Sequence, residues 1–225
     1  MRPLLVLRPE PGASATAKRA RKIGLRPVVL PLFLVRPVEW TAPEPSSFDA
    51  LLLTSANAVR MGGIQLERLS GLRVHAVGEA TAQAARGAGF DIASSGDAGI
   101  ERLLDSLAPD LKLLHLCGED RRQADDARQS ITPLVVYRST ALPGVNLDAA
   151  EGAVVLIHSP RAGRRFAELV DAAQVVRGAI AIAAISATAA AALGEGWEAI
   201  EIAERPADDE LLVLAARLCN KPPPQ

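Results

Sequence analysis

The chain repeats itself, and this restricts its fold more than any other feature. Residues 49–58 read DALLLTSANA and residues 153–162 read AVVLIHSPRA. Each is an apolar run closed by a serine, Ser55 or Ser159, where a helical pattern begins. A second pair of blocks comes next in the same order. TAQAARGAGF from Thr81 and TAAAALGEGW from Thr188 share the pattern T-A-x-A-A-x-G-x-G-aromatic. Ser159 lies 104 residues after Ser55, and Thr188 lies 107 after Thr81. Alanine richness inflates the second match, but it does not explain two matched blocks at a nearly constant offset. The expectation is a duplicated architecture.

Short apolar runs alternate with helical patterns along the whole length. Strands are expected at residues 4–7, 27–32, 50–53, 73–77, 113–116, 134–137, 154–157, 179–185 and 199–202. Helices are expected at 14–23, 56–68, 80–86, 100–107, 121–130, 162–172, 188–193 and 208–218. Continuous apolar strands alternating with helices predict an α/β fold with parallel sheets covered on both faces. Two further segments, PLFLVRPV at 31–38 and PLVVYRSTAL at 133–142, are extended. One precedes each repeat unit. If the chain crosses between lobes at both, the second lobe is an insertion. The first α/β lobe is then residues 1–35 with 140–225, the second is 36–139, and the segments at 31–38 and 133–142 form a two-stranded antiparallel linker.

Helix starts carry unpaired N–H groups and the positive end of the helix dipole. Ser55, Thr81, Ser159 and Thr188 all fall where a strand gives way to a helix. Such hydroxyls cap the helix or help bind an anion. Four of them, two per half, point to two anion-binding rims and hence to a polyanionic ligand held between two lobes.

Composition narrows the partners. Of 225 residues, 49% are hydrophobic and 23% charged, and the formal net charge is -1, so a substantial core is expected and nucleic acid is not. The uncharged stretch at 178–192 falls short of the ~20 apolar residues of a spanning helix, so no membrane association is expected. Cys117 and Cys219 form no motif and read as reduced thiols of a cytoplasmic protein. His75, His115 and His158 each stand alone within or at the end of an apolar run, which disfavours a metal site. No phosphate loop or dinucleotide fingerprint is present, so no cofactor is expected. Lysines number four against twenty-one arginines. Genome composition explains that skew, or some arginines bind carboxylates through their planar fork.

An ordered set of blocks resembles the uroporphyrinogen-III synthase family over essentially the whole chain. The blocks are VLRP at 6–9, FDALLLTSANAV at 48–59, AVGEATA at 76–82, CGEDRR at 117–122, VVYR at 135–138, SPRAG at 159–163 and ISATA at 185–189. The resemblance implies two α/β lobes joined by a two-stranded linker. It implies a cofactor-free and metal-free lyase that closes hydroxymethylbilane, a small-molecule polycarboxylate, to uroporphyrinogen III. Water is lost, and ring D is inverted through a spiro intermediate. The resemblance gives Tyr137, the only tyrosine, a role in departure of the hydroxyl; a space-filling linker aromatic is the plain alternative. It places Ser55, Thr81, Ser159 and Thr188 at substrate-contact positions. Arg8 and Arg122 also match recurrent family positions, with solvated or structural roles open to both. Asn57 stands where a basic residue is common, and the block around Ser186 also departs from the family pattern.

A monomer is expected. The competing reading is a non-catalytic two-lobed cytosolic sensor for a polyanionic small molecule. A response-regulator-like protein is disfavoured, because it needs acidic strand ends and these carry Ser, His, Gly and Arg.

Overall fold

The computed structural model describes residues 1–96, 99–120 and 127–221. In chain order its elements are β1 (Leu4–Val6), α1 (Gly12–Lys22), β2 (Pro27–Val29), β3 (Phe33–Pro37), β4 (Ala50–Leu53), α2 (Ala56–Met61), β5 (Arg73–Val77), α3 (Glu79–Gly87), β6 (Ile92–Gly96), α4 (Ile100–Asp105) and β7 (Lys112–Gly118). They continue as β8 (Ser130–Ala141), β9 (Val154–Ile157), α5 (Pro160–Ala172), β10 (Ala181–Ala184), α6 (Ala187–Ala191), β11 (Ala199–Ile202) and α7 (Asp208–Asn220). Backbone contacts divide the chain into two compact units, Met1–Leu34 with Ala141–Gln225, and Val35–Thr140.

The first unit holds a five-stranded sheet ordered β11-β10-β9-β1-β2, every neighbouring pair parallel. Its central strands are apolar throughout because both faces are covered. Leu5, Val155 and Ile182 face a cluster with Phe166 and Val170 of α5 and Ala189 of α6. Their sequence neighbours Leu4, Val154 and Ala181 face the opposite cluster, with Ala13 and Ala20 of α1 and Leu211, Leu214 and Ala215 of α7. Side chains alternate across a strand, so a run such as VVLI feeds two cores at once. Each fully buried Leu, Val or Ile contributes about 1.5–3 kcal/mol of transfer free energy.

The second unit holds a six-stranded sheet ordered β3-β8-β7-β4-β5-β6. The pairs β8–β7, β7–β4, β4–β5 and β5–β6 are parallel. Leu51, Leu53, Val74 and Leu114 face α2 and α3 through Ala58, Val59, Ala82 and Ala85. Ala50, Leu52 and Leu113 face α4 through Ile100, Leu103 and Leu104.

The duplication reappears as topology. In one sheet the order β4-β5-β6 extends from β7; in the other, β9-β10-β11 extends from β1. Three local differences from the sequence expectations have physical causes. The helix expected at 56–68 stops at Met61 and continues past Gly62 as a 3-10 segment, Gly63–Leu69, that opens on a left-handed Gly63 (φ 64°). β6 was not expected, because IASSG lacks an apolar run. The helix expected at 121–130 has residues 121–126 outside the described ones. Its remaining part is not helical: Gln129 is buried and its Nε2 donates to the carbonyls of Leu104, Leu107 and Ala108 at 3.0, 3.3 and 3.0 Å. That ties the segment to the end of α4, and Ser130 opens β8 by donating its N–H to Leu111 O.

Candidate functional site

In the second unit the carboxyl ends of the strands surround a cavity of about 290 Å³. Its lining comprises Thr54 and Ser55 after β4, Val77 of β5, Gly118 of β7 with Asp120 beyond it, Tyr137 of β8, and Gly99, Ile100 and Glu101 at the start of α4. Ligand crevices of open parallel sheets lie at this end of the strands.

Ser55 is the N-cap of α2, and its Oγ accepts the Asn57 N–H at 3.2 Å. Ser55 and Tyr137 line the cavity together. Burial pushes the Tyr137 phenol above its ordinary pKa of 10.0; the Ser55 hydroxyl opposes this, while Cys117 and Asp120 add to it. The phenol therefore stays protonated at neutral pH. Beside it, Thr54 Oγ1 lies 3.0 Å from Nε2 of His115, which is 4% exposed on β7. Gly118 lies opposite Tyr137 in the β7–β8 register, which shifts between Cys117 and Gly118. Glu119 donates its N–H to the Tyr137 carbonyl at 3.0 Å.

Thr81 lies in the first turn of α3 and is only 5% exposed. That helix is entered through Gly78, whose φ of 83° favours glycine. Arg122 lies outside the described residues.

The first unit carries a matching set of strand ends. Ser159 caps α5, its Oγ accepting the Ala162 N–H at 3.2 Å. Ser186, rather than Thr188, caps α6, accepting the Ala189 N–H at 3.3 Å. Thr188 is exposed, with Oγ1 3.0 Å from Ser186 Oγ. Arg8, just past β1, reaches Asp208 Oδ1 at 3.3 Å and Thr16 Oγ1 at 3.4 Å.

Asp208 at the start of α7 is the hub of this group. It accepts from Thr16, Arg19 and His158, the last at 2.7 Å through Nε2. Burial opposes its ionisation, but the hydrogen bonds from His158 and Arg19 outweigh that and hold its carboxyl well below the usual range. His158 is held below its ordinary value of 6.5, chiefly by burial, against the pull of Asp208. The pair is therefore a carboxylate accepting from a neutral imidazole.

The structure thus brings Ser55 and Tyr137 together and sets Arg8, Ser159 and Thr188 at strand or helix ends of the first unit. The sequence reading missed Thr54, His115, Gly118, Glu101 and Asp120. Gly118 and Asp120 fall inside the CGEDRR block, but what marks them is proximity to Tyr137, which no local pattern carries. Among the described residues there is no cluster of three or more His, Cys, Asp or Glu suited to a metal ion. No helix among them is long and apolar enough to cross a membrane.

Parallel sheets in duplicate, with hydroxyl side chains where strands end and helices begin, define an α/β protein with a strand-end cavity in its second unit. The family model described as Uroporphyrinogen-III synthase HemD matches residues 14–212, and the chain belongs to that family. A uroporphyrinogen-III synthase of Chlorobaculum parvum is 33% identical over 92 residues, a match spanning 37% of this chain and 37% of that protein. Two solved structures share the fold. The uroporphyrinogen-III synthetase of Helicobacter pylori has a TM-score of 0.65 at 19% identity, covering 97% of this chain and 100% of that one. A mutant uroporphyrinogen III synthase of Thermus thermophilus has a TM-score of 0.56 at 19% identity, covering 97% and 98%.

Proposed function

We propose that this chain cyclises hydroxymethylbilane to uroporphyrinogen III in tetrapyrrole synthesis, as a cytoplasmic, monomeric, cofactor-independent lyase. The observation that carries this reading is the placement of the only tyrosine, which lines a strand-end cavity together with Ser55. A phenol kept protonated at neutral pH can assist departure of the substrate's terminal hydroxyl. As the C–O bond breaks, the oxygen takes a proton and leaves as water, while the pyrrole nitrogen supplies the electron pair. The ring D carbon that already carries the bridge to ring C attacks the resulting cation to form the spiro intermediate. That older bridge bond then breaks, and the freed methylene bonds to the unsubstituted α-carbon of ring D. The proton given up at the start is replaced by the one lost when the last pyrrole regains aromaticity, so water is the only by-product.

The substrate also closes unaided to the unflipped ring, so the protein's task is orientation. In this reading residues 1–35 with 140–225 and residues 36–139 act as two lobes tethered by antiparallel linker strands at 31–38 and 133–142. Arg8, Ser55, Arg122, Ser159 and Thr188 contact substrate carboxylates, together with the helix start at Thr81.

The test supplies enzymatically generated hydroxymethylbilane to the metal-stripped protein and separates the oxidised porphyrin isomers. A shift from isomer I to isomer III is expected. Isomer I alone, from protein shown to be folded, would overturn the reading. Saturable binding of the substrate without turnover would then identify a polyanion sensor.

A further inference from the structure

We infer that Gly118 is a positioning residue: its bare backbone is the space into which the Tyr137 ring packs, and that packing sets the phenol against Ser55 in the cavity. A methyl group built on Gly118 would lie 2.7 Å from both Cε2 and Cζ of Tyr137 and 3.0 Å from its hydroxyl oxygen. Real side chains do not approach so closely, so the ring or the strand has to move. Conformation does not explain the glycine, because Gly118 is not among the positive-φ glycines and its backbone accepts an L side chain. The register shift at Cys117/Gly118 is what sets Gly118 opposite Tyr137. Among the described residues, the groups around the phenol are Ser55, Cys117 and Asp120, with Glu101 in the cavity wall.

The inference rests on the proposed role of Tyr137, and its test separates the two. Tyr137 is the only tyrosine, so an ultraviolet phenolate titration reads that side chain alone. In Gly118→Ala the ring leaves its half-buried place, and the phenol is expected to titrate nearer its ordinary value than in the parent protein. A displacement near 1 Å is expected to lower kcat for isomer III about tenfold to a hundredfold, with KM within about twofold. In a Tyr137→Phe background the same alanine is expected to lower kcat no further, since the hydroxyl it misplaces is gone.

Stability supplies a readout independent of activity. Gly118→Ala is expected to lower the urea midpoint in the parent and to leave it unchanged in Tyr137→Ala, where no ring opposes the methyl. Folding only in the Tyr137→Ala background would equally support the inference. An unaltered phenol titration with unaltered kcat would overturn it, as would the same stability loss in both backgrounds. Absence of isomer III from the parent protein would remove the synthase reading, while titration and stability would still decide the packing.

Discussion

The Tyr137 phenol lines the strand-end cavity and is held above its ordinary pKa by burial. In the proposed reaction, loss of hydroxide from a hydroxymethylpyrrole is already assisted by the ring nitrogen, which leaves Tyr137 only the last increment to supply. Tyr137→Phe keeps the ring between Gly118 and the cavity and removes only the hydroxyl. It is expected to lower kcat about a hundredfold while the urea midpoint changes little, checked by isomer III formation beside a denaturation curve. The group around Asp208 has the opposite signature. Asp208→Ala strands a buried imidazole N–H and Thr16, and is expected to cost about 2–3 kcal/mol in urea unfolding at pH 7. Its depressed pKa contributes stability above the unfolded carboxylate value near 4 and loses it only in strong acid. His158 works in a different window. A histidine held below 6.5 in the fold binds its proton more readily when unfolded, so its contribution is complete above pH 6.5 and declines as pH falls. His75 is lowered too, by burial and then Arg73, and acts in the same direction. The urea midpoint should fall between pH 7 and pH 5, and His158→Gln should flatten that slope. Ser55 was legible in the sequence because a strand-ending serine recurs in the repeat, and Tyr137 through the family resemblance of the VVYR block. Gly118 and Thr54 were not, because their contacts with Tyr137 and His115 span sheet neighbours.

The elements were legible to the extent that their apolar pattern was local. ALLL, VVLI and AIAA are buried along their whole length and read as strands without help from context. IASSG forms β6 because Val74, already fixed in β5, offers Ile92 a pairing partner, which no window of the sequence contains. Gln129 similarly overrides a helical pattern through carbonyls 21 to 25 residues away. Helix α5 shows how such contacts position a candidate site. A methyl at Gly163 would stand 3.0 Å from the Ala189 carbonyl and 3.4 Å from Leu193 Cγ, so α5 and α6 touch through a glycine. Gly163→Val is expected to destabilise by about 1–3 kcal/mol, read by calorimetry, and to shift the helix start that carries Ser186 and Thr188.

At the scale of the chain, the duplication is visible in both sheets, but the strand that completes each set comes from opposite ends of its repeat. β1 precedes β9 in sequence, whereas β7 follows β4 and β5. The two matched blocks revealed the repeat; they did not reveal this permutation, because β1 and β7 share no sequence pattern that would pair them. Hydrogen exchange on a chain ending at residue 145 tests whether β1 depends on its later partner. Amides of residues 50–53, 73–77 and 113–116 are expected to be protected. Those of residues 4–6 are expected to exchange freely for lack of β9. Protection of residues 4–6 in that shortened chain would show that β1 is held without β9.

That arrangement bears on how the protein is made. Translation runs from the amino end, so once Ala141 has left the ribosome every strand of the six-stranded sheet is available. The five-stranded sheet then holds only β1 and β2. β1 is thus made long before it can be enclosed, and Leu4, Leu5 and Val6 wait for β9 while more than a hundred residues are added. For that interval β1 is paired only on its β2 side, and its apolar side chains lack the cover that α5 and α7 later supply on the two faces of the sheet.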